Sequence, residues 1–156
     1  MATEVIRASK EEDWQVIQAL NAEVFANSLQ WDPYLNMDDP YSTESVESYK
    51  KAVTDENTFC MIAELDGKAV GYLVGTASNY LYRTNKRGEI NHMGVSPEYR
   101  SHGFGTKLID EFKKWCKERG ITHIAANTYF LDEKARRFYE KNGLKPIDVT
   151  LEGSIE

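Results

Sequence analysis

The chain predicts an α+β (mixed α/β) domain with a central, mostly antiparallel twisted sheet flanked by four helices. Three observations predict it. Strand-like and helix-like segments follow in the order βααβββαβαβ, so three consecutive strands come after two helices and only the later elements alternate. Asp66-Gly67 joins two apolar runs and is a hairpin signal. A glycine pair, Gly103 and Gly105, stands between an apolar run ending at Val95 and a long helical pattern. The 156 residues, 41% hydrophobic and 28% charged, suit one domain over residues 1–156 that buries its core without disulfides or metal.

Residues 4–8 read as a short strand. Ser9 with Glu12 three residues on reads as a capping box, opening a helix to about Phe25 with Trp14, Ile17, Leu20, Val24 and Phe25 on one face. Residues 27–43, aromatic and punctuated by Pro33 and Pro40, read as a loop. A second helix is predicted over residues 44–54, strands over 58–65 and 69–78, and a further strand over 89–95. Over residues 103–119, Phe104, Leu108, Ile109, Phe112, Trp115 and Cys116 recur at helical spacing, and Gly120 is a natural stop. A strand over residues 123–129, a helix over 132–142 closed by Gly143, and a last strand within 144–151 complete the order.

The net charge of −6 disfavours non-specific nucleic-acid binding, and no apolar run approaches membrane-spanning length. Glu4 lies where a secretory leader would carry its apolar segment. Cys60 and Cys116 sit inside apolar patterns and read as buried, reduced thiols, which points to the cytoplasm. No pair of histidines or cysteines has metal-ligand spacing, so no metal is expected.

The stretch Val95-Ser96-Pro97-Glu98-Tyr99-Arg100-Ser101-His102-Gly103-Phe104-Gly105-Thr106 carries the strongest functional signal. Two glycines at a strand-to-helix junction let the backbone approach a ligand with no Cβ in the way. The helix that follows aims its free N–H groups and positive dipole end at that ligand, which makes an anion site. Arg100 adds a full charge and a fork of donors. A pyrophosphate is the natural guest. A dinucleotide fingerprint needs a third glycine where Leu108 stands, and a P-loop needs Gly-Lys-Ser or Gly-Lys-Thr where Gly105-Thr106-Lys107 stands. Neither motif fits. Tight strand–helix packing alone is the competing reason for such glycines.

Arg-x-x-Gly-x-Gly after a strand resembles the acetyl-CoA loop of the GNAT superfamily of N-acetyltransferases. The stretch from Asp132 through Ala135, Phe138, Tyr139 and Gly143 to Leu144 is similar to that family's second signature, Asn-x-x-Ala-x-x-Phe-Tyr-x-x-x-Gly-Phe. The two motifs lie about 27 residues apart with one strand between them, and the element order matches the family from first strand to last. The resemblance implies a GNAT-like acyl-CoA N-acyltransferase fold, acetyl-CoA as cosubstrate and an amine as acceptor. It implies that the main chain of Met93, Gly94 and Val95 pairs with the pantetheine arm. It also implies that main-chain N–H groups of Arg100, Ser101, His102, Gly103, Phe104, Gly105 and Thr106 hold the pyrophosphate. Ser101 replaces a common family glycine, a change tolerated if its φ is negative. The family's final hairpin has only about a dozen residues left to form it, so sheet completion by a second subunit, as a homodimer, stays open.

The same resemblance implies Tyr139 as the general acid beside the CoA sulfur, against the plainer reading of a core tyrosine. Asp132 stands where the family has asparagine; as an ionised carboxylate it only accepts, so a donated bond to the pantetheine arm is in doubt and helix capping is its competing role. An alkylammonium of pKa near 10.4 costs about 4–5 kcal/mol to neutralise at pH 7, so a base is expected. Glu89 occupies the position of the family's glutamate base, and His92 is its rival. Simple alternation puts Glu89, Asn91, Met93 and Val95 on one face and Ile90, His92 and Gly94 on the other. Trp31, Tyr34, Asp38, Asp39, Tyr41, Glu44, Tyr80 and Tyr82 form either an aromatic, acidic acceptor cleft or an ordinary solvated surface. A non-catalytic acyl-CoA-binding regulatory module is the rival function.

Overall fold

A computed structural model describes residues 1–156. Five strands, β1 (Glu4–Ala8), β2 (Thr58–Leu65), β3 (Lys68–Ser78), β4 (Arg87–Val95) and β5 (His123–Ala126), form one sheet in chain order. The first four pair antiparallel, and β5 joins β4 in parallel. Helices α1 (Trp14–Ser28), α2 (Thr43–Thr54), α3 (Phe104–Glu118) and α4 (Glu133–Lys141) complete the α+β architecture. Asp66 and Gly67 both have positive φ, 50° and 79°, as a two-residue hairpin turn of matching twist demands.

The sheet separates two apolar clusters. On one face Ile17 and Leu20 of α1 and Tyr49 and Ala52 of α2 pack on Ile62, Tyr72 and Val74. On the other, Phe104, Leu108, Ile109 and Phe112 of α3 pack on Phe59, Leu73 and Ile90. Each fully buried large side chain contributes about 1.5–3 kcal/mol, so α3, with four such residues on one stripe, is anchored firmly.

Several local expectations are corrected. The Ser9–Glu12 capping box does not form. Instead, Asp13 accepts from the Lys10 N–H at 2.6 Å and is gripped by Arg7 at 2.7 Å, so a short 3₁₀ turn precedes α1. The Arg7 guanidinium holds the Asp13 carboxyl below the usual range. The strand predicted over residues 123–129 stops at Ala126, and residues 144–151 form no strand, because no neighbouring strand lies beside them.

The alternation expected along β4 also fails. His92 pairs with Val74 but Ile90 with Gly75, so Asn91 is an extra residue, a β-bulge. Ile90, Met93 and Val95 consequently all face α3, while His92 turns toward Tyr49 and Tyr72. A Cβ on Gly88 would strike Cys116 on the α3 side, so Glu89, its neighbour, points to the opposite face. Glu89 and His92 therefore share the face that carries α1 and α2.

Candidate active site

The bulge sits where the sheet opens. β4 pairs with β5 only from Arg87 to Ile90, so Met93, Gly94 and Val95 present an edge with no strand partner. An extended arm with amide groups fits such an edge as a further strand would. Of these groups the Val95 carbonyl is engaged, accepting from Arg100 Nε at 2.9 Å. That bond folds the Arg100 side chain back over the loop, and its two terminal nitrogens make no bond within the protein. His102 Nδ1 donates to the Arg100 carbonyl at 2.9 Å and tightens the same turn.

Below this turn the backbone curls into a concave set of donors. Ser101 and Gly103 have φ of 65° and 86°, and α3 begins at the next residue. Lys107 is the first residue to donate within the helix, to the Gly103 carbonyl at 3.1 Å, which leaves the N–H groups of Phe104, Gly105 and Thr106 free. The residues present thus fit a pyrophosphate. The negative φ expected for Ser101 is corrected: the residue lies in the left-handed region at about 1–2 kcal/mol of strain. Ser101→Gly removes that strain at about 0.5–1 kcal/mol of added chain entropy, so its melting temperature is expected to rise by about 2 °C. A fall in calorimetric Tm would contradict this.

The two glycines of the loop have different reasons. At Gly103 a Cβ would meet nothing, and the positive φ alone selects glycine. At Gly105 a Cβ would lie 2.8 Å from the Phe138 ring, so this glycine lets α4 dock on α3. The same docking holds Tyr139, next to Phe138, against the apolar cluster on the α3 face of the sheet. Asp132 caps α4, its Oδ1 accepting from the Ala135 N–H at 3.1 Å, which is the structural role the sequence suggested for it. The Tyr139 hydroxyl makes no hydrogen bond within the protein. Burial, with the Asp132 charge adding, pushes its pKa up to about 12, so it is a protonated donor at neutral pH.

Glu89 is half-buried, and its contacts fall on one oxygen. Oε1 accepts from Arg87 Nε at 2.7 Å and Ser78 Oγ at 3.0 Å, while Oε2 has no protein partner. His92 belongs to a chain that sequence reading missed. Its Nδ1 donates to the Tyr72 hydroxyl at 2.9 Å, Tyr72 donates to Asn21 Oδ1 at 2.9 Å, and Asn21 Nδ2 donates to the Tyr49 hydroxyl at 2.7 Å. The signal was present: Asn21 follows Leu20 and lies four residues after Ile17, a polar residue inside the apolar stripe of α1. Burial lowers the His92 pKa to about 4, which keeps the ring neutral. The phenols of Tyr49 and Tyr139 add to burial in holding Tyr72 protonated. A groove of about 510 Å³ opens beside His92 and Asn91, between the end of α2 and Thr76 of β3.

The proposed aromatic and acidic cleft is not assembled as one unit. Tyr80 stacks over Arg87 at 5.0 Å and beside Tyr82 at 5.5 Å. Asp39 accepts from Ser45 Oγ at 3.1 Å beside the start of α2, and Tyr34 and Tyr41 project into solvent. What does converge is the α1–α2 connection on the β5–α4 connection, through the Tyr129 hydroxyl donating to Asp32 Oδ2 at 2.9 Å. Trp31 lies in the same connection with its Nε1 buried and unpartnered.

An open strand edge, a cradle of main-chain donors and an unengaged phenol on the helix that packs on that cradle have the chemistry an acyl-CoA would need. Comparison with known proteins agrees: the Acetyltransferase (GNAT) family profile matches residues 24–144, and the chain belongs to that family. An uncharacterized N-acetyltransferase of Archaeoglobus fulgidus is 30% identical over 98 residues, 62% of this chain and 67% of that protein. The chain spans only 42% and 47% of two further curated relatives. Among solved structures, BH1408 from Bacillus halodurans superposes with a TM-score of 0.85 at 18% identity, covering 97% of this chain and 99% of the other. The aminoglycoside acetyltransferase AAC(6')-Iy, in complex with the bisubstrate analogue CoA-S-monomethyl-acetylneamine, superposes with a TM-score of 0.74 at 15% identity over 99% of both chains. These two likenesses establish the fold.

Proposed function

We propose that this chain transfers the acetyl group of acetyl-CoA to a primary amine of a small molecule, peptide or protein, by direct attack in a ternary complex. One observation carries the reading: the unengaged Tyr139 hydroxyl rides on a helix docked, through Phe138 and Gly105, onto the phosphate-binding loop. In the proposed reaction the amine nitrogen bonds to the thioester carbonyl carbon, and the carbon–sulfur bond breaks. The amine proton leaves through water to Glu89 Oε2. The departing thiolate takes its proton from Tyr139, and a main-chain N–H of the Met93–Val95 edge stabilises the oxyanion. The bisubstrate analogue held by AAC(6')-Iy supports the ternary order. A cysteine acyl-enzyme is disfavoured, because burial pushes both Cys60 and Cys116 up to about 11. The same buried thiols support work in a reducing cytoplasm.

The test is thiol release from acetyl-CoA against a panel of polyamines, aminoglycosides, peptides and lysine-bearing proteins. Turnover on one class supports the proposal; tight CoA binding with no turnover on any of them supports a regulatory acyl-CoA-binding module instead. On the active amine, Tyr139→Phe is expected to lower kcat about 10²-fold while the Kd for CoA, measured by calorimetry, stays unchanged. An unchanged kcat would leave Tyr139 a packing residue.

A further inference from the structure

The groove beside His92 is lined for a polar guest. Its floor is Val74, Thr76 and Ala77 of β3 with Asn91 and His92 of β4, and its walls come from the end of α2 and the start of β2. At about 510 Å³ it is wide enough for a drug-sized molecule, and cavities that hold one are ordinarily apolar. Here only three of eleven lining residues are hydrophobic, Val74 and two alanines. No Phe, Tyr or Trp is among them, so the groove offers no large stacking face.

Its position ties it to the groups assigned to acetyl transfer. Thr76 is the cross-strand partner of Glu89. Between Glu89 and the unpaired edge at Met93, β4 consists of Ile90, which faces α3, and the groove residues Asn91 and His92. An amine held in the groove is thus one or two residues along β4 from both, at about 3.3 Å per residue.

The polar groups left over in the groove are of both kinds. Tyr72 spends its one hydrogen on Asn21 Oδ1, so His92 Nδ1 carries the hydrogen of their shared bond and Nε2 is a bare acceptor. That Nε2 has no partner within the protein and is not sealed from solvent. Asn91 Oδ1 accepts from Thr76 Oγ1 at 3.0 Å, which leaves Asn91 Nδ2 a free donor. Lys51 lines the wall and makes no ion pair. The one carboxylate, that of Asp55, is already engaged by the Asn57 N–H at 2.9 Å and by Thr58 Oγ1 at 3.2 Å.

These groups sort the candidate amines. A polyamine brings only cationic donors, which would meet a committed carboxylate and the charge of Lys51. An alkylamine without hydroxyls would cover the free donors and the free acceptor and pair with none of them. A peptide adds along an open strand edge, whereas β3 and β4 beneath the groove already pair with each other. A hydroxyl both donates and accepts, so several of them can pair with His92 Nε2, Asn91 Nδ2 and Lys51 Nζ without adding charge.

We propose that this groove is the acceptor site and that it takes a polyhydroxylated monoamine of amino-sugar type, selected by a hydrogen bond to His92 Nε2. The role of acceptor site rests on the acetyl-transfer reading; the ligand class rests on the lining alone.

The test is a titration followed by amide chemical shifts, on the full chain with CoA bound. The probe 6-amino-6-deoxyglucose should shift the amides of Lys51, Asn57, Thr76 and Asn91, while hexylamine and spermidine leave them in place. Ser48→Trp, at an exposed position on the α2 wall, fills the groove and should weaken the sugar's Kd at least about tenfold, with circular dichroism and the Kd for CoA kept. In the thiol-release assay, kcat/KM for the sugar should exceed that for hexylamine by about 10²-fold. Spermidine or a lysine peptide shifting these amides more strongly than the sugar overturns the ligand class. Shifts that are absent, or that Ser48→Trp does not weaken, overturn the site, and acetylation of another amine would then leave the acetyl-transfer reading standing without it. Groove binding with no acetyl transfer to any amine overturns that reading and the groove's role as acceptor site, though not its ligand.

Discussion

Glu89→Gln is expected to lower kcat/KM for the amine by about 10²-fold, a loss as large as that expected from Tyr139→Phe. The two side chains are isosteric, so the amide oxygen can still accept from Arg87 Nε and Ser78 Oγ, the contacts now made by Oε1 at 2.7 and 3.0 Å. What disappears is the capacity of Oε2 to take a proton through water. The remaining rate then depends on the fraction of amine already neutral, so it climbs about tenfold per pH unit toward the amine pKa near 10.4. The wild type climbs less steeply, because its base does part of that work. Initial rates across pH 6–9 for both proteins decide the matter. Activity within a few-fold of wild type, with the same pH profile, would pass the proton to bulk water or His92 and leave Glu89 as Arg87's partner only.

Acid unfolding should show a second large effect centred on His92. Its folded pKa is about 4, against about 6.5 in the unfolded chain. Below pH 6.5 the unfolded state therefore binds a proton that the native state refuses. Stability falls as pH drops from 6.5 toward 4 and levels below it, a loss of about 3 kcal/mol. The groups packed around the ring are Tyr49, Tyr72 and, through Tyr72, Asn21, none of them charged; Lys51 and Asp55 line the same groove. Denaturant midpoints at pH 7 and pH 4.5, compared with those of His92→Gln, isolate the contribution. If the variant loses as much stability as the wild type over this interval, the carboxylates are responsible, and His92 is not held neutral by its surroundings.

The proposed functions of the two residues stay separate. His92 is kept neutral by burial and tied to Tyr72, whereas Glu89 carries a charge balanced by Arg87 with one oxygen left for solvent. A neutral imidazole that resists protonation makes a poor acceptor for an ammonium proton. The bulge at Asn91 places both on one face, so distance along β4 rather than the side of the sheet distinguishes them.

Most of the architecture was legible because it depends on local pattern. The Asp66-Gly67 turn, the apolar stripe of α3, the Gly120 and Gly143 stops and the Asp132 cap each follow from a few neighbouring residues. The family's two motifs were equally local. The errors were where a distant residue outbid a near one. Arg7 on β1 captured Asp13, so the Ser9–Glu12 cap was never needed. β4 took an extra residue against β3, so strict alternation failed. The tail at residues 144–151 has a strand's sequence without a strand's neighbour.

By itself, then, the sequence determined the order of the elements from β1 to α4, the glycine loop that opens α3 and which residues are proposed for acetyl transfer, since periodicity, turn chemistry and glycine placement act over short range. Only the tertiary structure decided which of them meet. It assigned Gly105 to the packing of Phe138 and Gly103 to the backbone turn, set Glu89 and His92 on one face, and joined His92 to Asn21 through Tyr72 across 71 residues of chain. Those pairings depend on register and burial. Both are properties of the whole sheet, and no window of the sequence contains them.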